Sequence, residues 1–407
     1  MSNLSRNLRV LHVGKYYAPY VGGIESHVQT LCSKLCKHVD VRVLVANAGR
    51  EDLDETDGSV PIMRAGTLLR LAGAPVCLSM AQKIRNSGAH LVHIHMPNPT
   101  AAIAYLASGF KGPLVLTWHG DIVRQRLLKT LFMPIERRLL RKAQAIIASS
   151  PDYIAYSPPL YEHRLRCRVI PFGISLDDTE YDPVQISSIQ RRYGRPLLLS
   201  IGRLVGYKGY RYLVRAMKHI NASLLLIGEG PERTKLETEI RHFGLSPRVH
   251  LLGRVEQTQP YYEACDIFVL PSIGRNEAFG IVQLEAMVHG KPVVNTQLRS
   301  GVPFVSVNGF TGITVPPADS RALARAINIL LDDPERCLAY GTAAQARVQQ
   351  EFNVDSMVSQ TLRLYEQVIS ESDNSGDNTS MLWNDQRPLW PDNPRRERTG
   401  CGSGVDA

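Results

Sequence analysis

The sequence predicts two doubly wound α/β domains, each a mostly parallel sheet covered by helices on both faces, set across a cleft. Short apolar runs alternate with amphipathic helical patterns from one end to the other, as a sheet buried on both faces requires. The alternation breaks once, at a turn-rich stretch over residues 171–183, and then restarts. A chain of 407 residues, 44% of them apolar, can bury two cores, which excludes a single small binding module.

The first half supplies strands at 8–13 (LRVLHV), 41–46 (VRVLVA), 91–95 (LVHIH), 114–119 (LVLTWH) and 145–150 (AIIASS). The second supplies 197–202 (LLLSIG), 223–230 (SLLLIGEG), 248–253 (RVHLLG), 266–272 (DIFVLPS) and 291–296 (KPVVNT). Helical patterns follow at 319–331, 334–350 and 354–371. The expected organisation is a first domain over residues 1–178, a second over 179–353, a helix at 354–371 returning to the first domain, and a disordered tail at 372–407. In that tail periodicity gives way to Asn, Asp, Ser, Gly, Pro and Arg, while Trp383 and Trp390 offer at most a weak docking segment. The natural ligand site is the cleft outside the carboxyl ends of both sheets.

Seven cysteines without a CxxC or metal-ligand spacing read as reduced thiols, Cys32 and Cys36 as core on one helix face. The amino-terminal apolar stretch is too short for a signal peptide. The longest uncharged apolar run, residues 96–110, falls short of the roughly 18 residues a membrane span needs, so a soluble cytoplasmic protein is expected.

The net charge of +9 is concentrated. Residues 124–142 carry Arg124, Arg126, Lys129, Arg137, Arg138, Arg141 and Lys142 against one acid, Glu136. Leu127, Leu128, Leu131, Phe132, Ile135, Leu139 and Leu140 are interleaved at spacings of three and four, which predicts a basic amphipathic helix bent at Pro134. With no helix-turn-helix, zinc-finger or RNP-type motif beside it, nucleic acid is not the expected partner. An anionic membrane surface at the inner face of the cytoplasmic membrane suits it; the alternative is a packed helix with a solvated basic face.

The chemistry lies in loops at strand ends. Gly22 and Gly23, in GKYYAPYVGGIESHV (14–28), precede a helix whose N-terminal N–H groups favour an anion, although such glycine pairs also serve ordinary turns. In IGRLVGYKGY (201–210), Arg203 and Lys208 form a plausible diphosphate clamp, the guanidinium bridging two oxygens and the ammonium adding a compact charge. Further on, Glu277 stands in a loop, Ala278, Phe279 and Gly280 at a helix start, and Glu285 within the helix. Eight helical residues separate the carboxylates by about 12 Å. A retaining glycosidase pair stands about 5 Å apart, so these two suit separate grips on one elongated ligand, such as the sugar and ribose of a nucleotide sugar. The Asp52/Asp54 pair, in the acidic run 51–57, reads as a solvated loop rather than a metal cage.

Taken together, GGIESHV (22–28), WHG (118–120), GRLVGYKG (202–209) and the two glutamates at 277 and 285 resemble glycosyltransferase family 4, the retaining GT-B enzymes that transfer sugar from a nucleotide sugar. The resemblance implies two Rossmann-like domains of GT-B fold. It also implies that Gly22 and Gly23 border the donor phosphates and acceptor, that His119 approaches the donor sugar, and that Arg203 and Lys208 hold the diphosphate. Glu277 would contact the sugar and Glu285 the ribose. No metal or other cofactor is expected, the two cations standing in for one. Residues 119–128, 149–160 and 294–317 look like bacterial mannosyl- and rhamnosyltransferases that build O-antigen and exopolysaccharide from GDP-sugars. They imply transfer of a hexosyl unit, mannosyl from GDP-mannose, to a lipid-linked saccharide. Gly120 stands where many of these relatives have Ser, and Ser175 where the sequence GID is common. The competing readings are a transferase using another GDP- or UDP-sugar (rhamnosyl, glucosyl or N-acetylglucosaminyl), a nucleotide-sugar epimerase or hydrolase of the same architecture, glycogen- or sucrose-type synthesis onto a soluble acceptor, for which the basic helix has no purpose, and a membrane-associated scaffold.

Overall fold

The computed structural model describes residues 7–20, 22–71, 73–121, 126–176 and 182–374. In the first domain the strands are β1 (Arg9–Val13), β2 (Asp40–Ala46), β3 (Leu53–Asp57), β4 (Val60–Ala65), β5 (Leu69–Leu71), β6 (Ala74–Val76), β7 (Leu91–Met96), β8 (Leu114–Trp118), β9 (Ala145–Ala148) and β10 (Cys167–Val169). The second domain holds β11 (Leu197–Ile201), β12 (Ser223–Ile227), β13 (Val249–Gly253), β14 (Ile267–Val269), β15 (Val293–Thr296) and β16 (Gly312–Val315).

The first sheet runs β10-β9-β8-β7-β1-β2-β4-β3 and the second β13-β12-β11-β14-β15-β16, with β5 and β6 in a separate hairpin. Every pairing in the two sheets is parallel except β3 with β4. Chain order reverses between β1 and β7 in one sheet and between β11 and β14 in the other. A doubly wound sheet opens its crevice at such a reversal, because successive connections leave toward opposite faces. Both sheets are sandwiched by apolar helix faces, which is why β7 and β8 are buried along their whole length.

The acidic run at 51–57 is not a loop. Residues 53–57 form β3, an antiparallel edge strand whose charged side chains suit an unpaired edge. Asp52 accepts from the Gly66 amide and Ser79 hydroxyl and pairs with Lys83 Nζ at 3.3 Å. The basic amphipathic helix is present as Arg126–Lys142, with Pro134 inside it. Phe132, Leu139 and Leu140 are core, but Leu131 is 73% exposed, so the apolar stripe is narrower than its spacing predicts. Arg124 lies outside the described residues, as do the side chains of Arg126 and Lys129.

The helix Pro334–Glu351 belongs to the second core through Ala344 and Val348. A bridge between Ile174 and Asn353 then marks where the chain crosses back. Its last described helix, Val354–Asn374, packs Leu364, Tyr365 and Val368 against Val10, Val28 and Leu31 of the first domain. That helix runs three residues past the boundary expected at 371; residues 375–407, including both tail tryptophans, lie outside the described residues.

Candidate active site

Side chains alternate along a strand, so residues two apart share a face. With the registers His12↔His93 and His95↔Thr117, this places His12 of β1, His93 and His95 of β7 and Thr117 of β8 on one face, and His119 continues that row two residues on. The result is a buried hydrogen-bonded series. His119 Nε2 lies 3.0 Å from His95 Nδ1, and His95 Nε2 lies 3.1 Å from His12 Nδ1. The Tyr365 hydroxyl stands 3.2 Å from His12 Nε2 and 2.5 Å from His93 Nδ1. His93 Nε2 closes on Thr117 Oγ1 at 2.7 Å.

Burial pushes the His12 and His27 imidazoles down to about 3 and holds those of His93, His95 and His119 well below their ordinary value. All five rings are therefore neutral near pH 7. Ring nitrogens of His12, His93 and His95, and of His27, His95 and His119, come within 4.8 Å of one another. His12, His93, His95 and His119 all engage their neighbours through ring nitrogens, whereas His27 Nδ1 is buried with no hydrogen-bond partner among the described residues.

His119 is 6% exposed and sits where the domains meet. Its ring lies 5.0 Å from His27 of the helix Gly23–Leu35 and 5.1 Å from Phe172, which in turn lies 5.0 Å from Phe279 of the second domain. Gly22 caps that helix without a side chain, and a Cβ on Gly23 would stand 3.8 Å from Ile281 Cδ1 across the cleft. Gly23 thus faces the start of the helix Ile281–Val288, whose N-cap is Gly280 at φ 75°. A side chain there would be strained, and its Cβ would stand 2.8 Å from Leu270 Cδ2.

In the second domain the loop after β11 brings Lys208 against Glu277 from the loop after β14. The two side chains pair at 2.6 Å, both nearly buried, and Ser272 Oγ donates to the same carboxylate oxygen at 2.9 Å. Burial works against the ammonium charge, but Glu277 prevails and raises the Lys208 pKa. Gly202 lets this happen: it adopts φ 148°, and a Cβ there would sit 3.2 Å from Lys208 Nζ and 2.8 Å from Tyr210 Oη. Arg203 is exposed and pairs with no acid among the described residues. Phe279 is buried and Ala278 half-buried, its carbonyl accepting from the Gly301 amide. Glu285 accepts from the Tyr262 hydroxyl at 2.6 Å; burial raises its pKa against that hydrogen bond.

The structure therefore joins Lys208 to Glu277 directly, sets Gly23 opposite Ile281, and keeps Glu285 with a partner of its own. Arg137, Arg138, Arg141 and Lys142 lie apart on their helix, all exposed. Sequence reasoning missed the latch between domains, in which Arg275 donates to Asp121 at 2.9 Å and to the Tyr156 carbonyl at 2.7 Å. It also missed the inner histidines, although three imidazoles at alternating positions of apolar strands are a legible oddity.

Residues 22–173 match the family model described as glycosyl transferase 4-like domain, and residues 184–347 that described as glycosyl transferases group 1. The chain is 32% identical over 352 residues to the D-rhamnosyltransferase WbpZ of Pseudomonas aeruginosa, covering 85% of this chain and 92% of that protein. It is 29% identical over 368 residues to the O-antigen chain mannosyltransferase C of Escherichia coli, covering 88% and 98%. Among solved structures, the sucrose-phosphate synthase of Thermosynechococcus elongatus superposes with a TM-score of 0.75 at 25% identity, over 89% of this chain and 100% of that one. With two facing doubly wound domains and a match to these relatives along most of its length, the chain belongs to the GT-B glycosyltransferases, as a hexosyltransferase with a 4-like first domain and a group 1 second domain.

Proposed function

We propose that the enzyme moves a mannosyl unit from GDP-mannose, with retention of configuration, to a hydroxyl of a lipid-linked saccharide during O-antigen or related cell-surface polysaccharide synthesis. The observation that carries this reading is the exposed Arg203, paired with no acid among the described residues, beside the buried Lys208–Glu277 pair at the strand-order reversal of the second sheet. A departing nucleoside diphosphate gains negative charge as the glycosidic bond breaks. Arg203 is free to receive two of its oxygens, while Lys208, kept charged by Glu277, adds a second fixed cation. These cations supply the charge a metal would otherwise bring. The leaving phosphate takes the acceptor proton, Glu277 orients the sugar, and the remaining oxygen of Glu285 holds the ribose while Tyr262 occupies the other. Mannose is supported by the name of the Escherichia coli relative, and GDP by the narrower motif likeness.

The same reading places the protein on the inner face of the cytoplasmic membrane. The helix Arg126–Lys142 is anchored by Leu139 and Leu140 and turns outward Arg137, Arg138, Arg141 and Lys142, with Leu131 and Met133 also exposed. Among the described residues no helix is long and apolar enough to cross a membrane, so contact with lipid would be made by such a surface.

A panel of GDP- and UDP-sugars, scored by thermal shift and slow hydrolysis, tests the donor. GDP-mannose should give the largest shift. A larger response to a UDP-sugar would overturn the base, and a preference for GDP-D-rhamnose would favour the activity named for the Pseudomonas aeruginosa relative. Sugar turnover that needs no acceptor would instead mark a hydrolase or epimerase.

A further inference from the structure

Buried hydrogen-bonded rings constrain one another, because a neutral imidazole has one N–H and one lone pair. The series Thr117–His93–Tyr365–His12–His95–His119 contains five such contacts in a row. Each needs one proton; each imidazole inside the series has one to give and one place to receive, while the Tyr365 hydroxyl has one to give and can accept from both sides. Three arrangements fill all five contacts: every group donates toward His119, every group donates away from it, or Tyr365 accepts from both His93 and His12. The last leaves the buried Tyr365 proton without an acceptor and is excluded on that ground, which leaves two.

The far end decides between them. Thr117 is buried, and no other partner of its hydroxyl is found among the described residues. If His93 Nε2–H donated to it, the Thr117 proton would be left buried without an acceptor. If Thr117 donates, no proton in the series is stranded, and an unfilled lone pair is cheaper than an unpaired buried proton. The direction then propagates. Thr117 O–H donates to His93 Nε2, His93 Nδ1–H to the Tyr365 oxygen, Tyr365 O–H to His12 Nε2, His12 Nδ1–H to His95 Nε2, and His95 Nδ1–H to His119 Nε2. The short Tyr365–His93 contact would also suit a phenol donating to Nδ1, but that belongs to the reverse arrangement and strands the Thr117 proton.

We propose that Thr117, His93, Tyr365, His12 and His95 are positioning residues that fix His119 as its Nδ1–H tautomer, so that its one ring nitrogen left for a ligand donates a hydrogen bond and cannot accept a proton. This rests on the reading of His119 as a residue beside the donor sugar. It excludes His119 as the base that deprotonates the acceptor, and assigns it to an oxygen of the donor. It also gives Tyr365, on the returning terminal helix, a part in the chemistry as well as in packing.

The test is long-range ¹H–¹⁵N correlation NMR of the full-length protein carrying labelled histidine, which distinguishes the two neutral tautomers ring by ring. Wild type should show His93, His12, His95 and His119 all as Nδ1–H. Thr117→Val and Tyr365→Phe leave a ring lone pair unfilled rather than a proton stranded, so in both His119 should stay Nδ1–H and the rate should hold within about twofold. Tyr365→Met sets an acceptor without a proton beside His12 Nε2, so the reversed direction strands nothing there and the Nε2–H form should appear at His119. With a donor that wild type turns over, kcat of Tyr365→Met should fall about tenfold, less than the hundredfold or more expected from loss of a contacting donor, at unchanged affinity for GDP. An Nε2–H His119 in wild type, or Tyr365→Met with a single Nδ1–H signal and full kcat, would overturn the proposal. Failure of every nucleotide sugar to react would instead overturn the functional reading, since the tautomer can be read without turnover.

Discussion

Lys208 and Arg203 share one expected task, yet their surroundings differ, and so should the consequences of losing them. Both would stabilise charge that appears only as the donor bond breaks, so either alanine variant should lower kcat by about a hundred- to thousandfold. Lys208→Ala also strands the buried Glu277 carboxylate, a loss of about 3–5 kcal/mol, or roughly 10 °C or more in Tm. Arg203→Ala, on an exposed side chain, should leave Tm within about 2 °C. Glu285→Ala should chiefly raise the KM for the donor, because a ribose contact is made about equally in ground and transition states. Glu277→Ala should fall between the two in kcat loss at saturating donor. Loss of kcat in Glu285→Ala, with only a KM effect in Lys208→Ala, would reverse these roles. Gly120 offers a second check. A Cβ there meets only Tyr153 Oη, at 3.9 Å, so Gly120→Ser should fold with Tm unchanged within about 2 °C. These positions were legible because local motifs mark them; the Lys208–Glu277 bond was not, since its partners come from separate loops whose meeting depends on β11 and β14 being neighbours.

Elements follow the same division. Strands such as β7 and β12 announce themselves as apolar runs, because both of their faces are covered. β3 could not, since an edge strand may be as polar as LDETD and is defined by pairing with β4. β10 (CRV) and β16 (GITV) interrupt their apolar runs with Arg168 and with Gly312 and Thr314, so neither reads as a buried strand. The basic helix was legible in its charge but not in its burial, for which of its leucines reach the core depends on the helices beside it. Its exposed cations can be tested as a unit. Changing Arg137, Arg138, Arg141 and Lys142 to Gln should abolish binding to vesicles rich in anionic lipid at physiological salt, each contributing about 1 kcal/mol, while turnover of a short soluble acceptor stays nearly unchanged. Unaltered, salt-insensitive vesicle binding by this variant would remove the membrane reading.

At the scale of the whole molecule, the two domains are tied by the Arg275–Asp121 pair, by the aromatic contact of Phe172 with Phe279, and by the terminal helix that leaves the second domain and covers the first. That helix closes Tyr365 over the imidazoles, so the returning segment seals the most pH-sensitive part of the protein. Five neutral rings are held far below the ordinary histidine value of about 6.5, with His12 and His27 at about 3. Above that ordinary value both folded and unfolded chains carry the rings neutral, and stability does not depend on their titration. As pH falls through it, the unfolded chain binds protons that the folded chain refuses, so the stability present above 6.5 is progressively lost. Between pH 7.5 and 6 each ring accounts for about 0.8 kcal/mol, and the five together for about 4 kcal/mol, against a total of roughly 5–15 kcal/mol for a typical domain. Tm should therefore fall steeply over that interval, and unfolding at pH 6 should take up about four protons from these rings, measurable by calorimetry in buffers of different ionisation enthalpy. Uptake of less than about one proton would mean that the imidazoles are charged, or already solvated, in the folded protein.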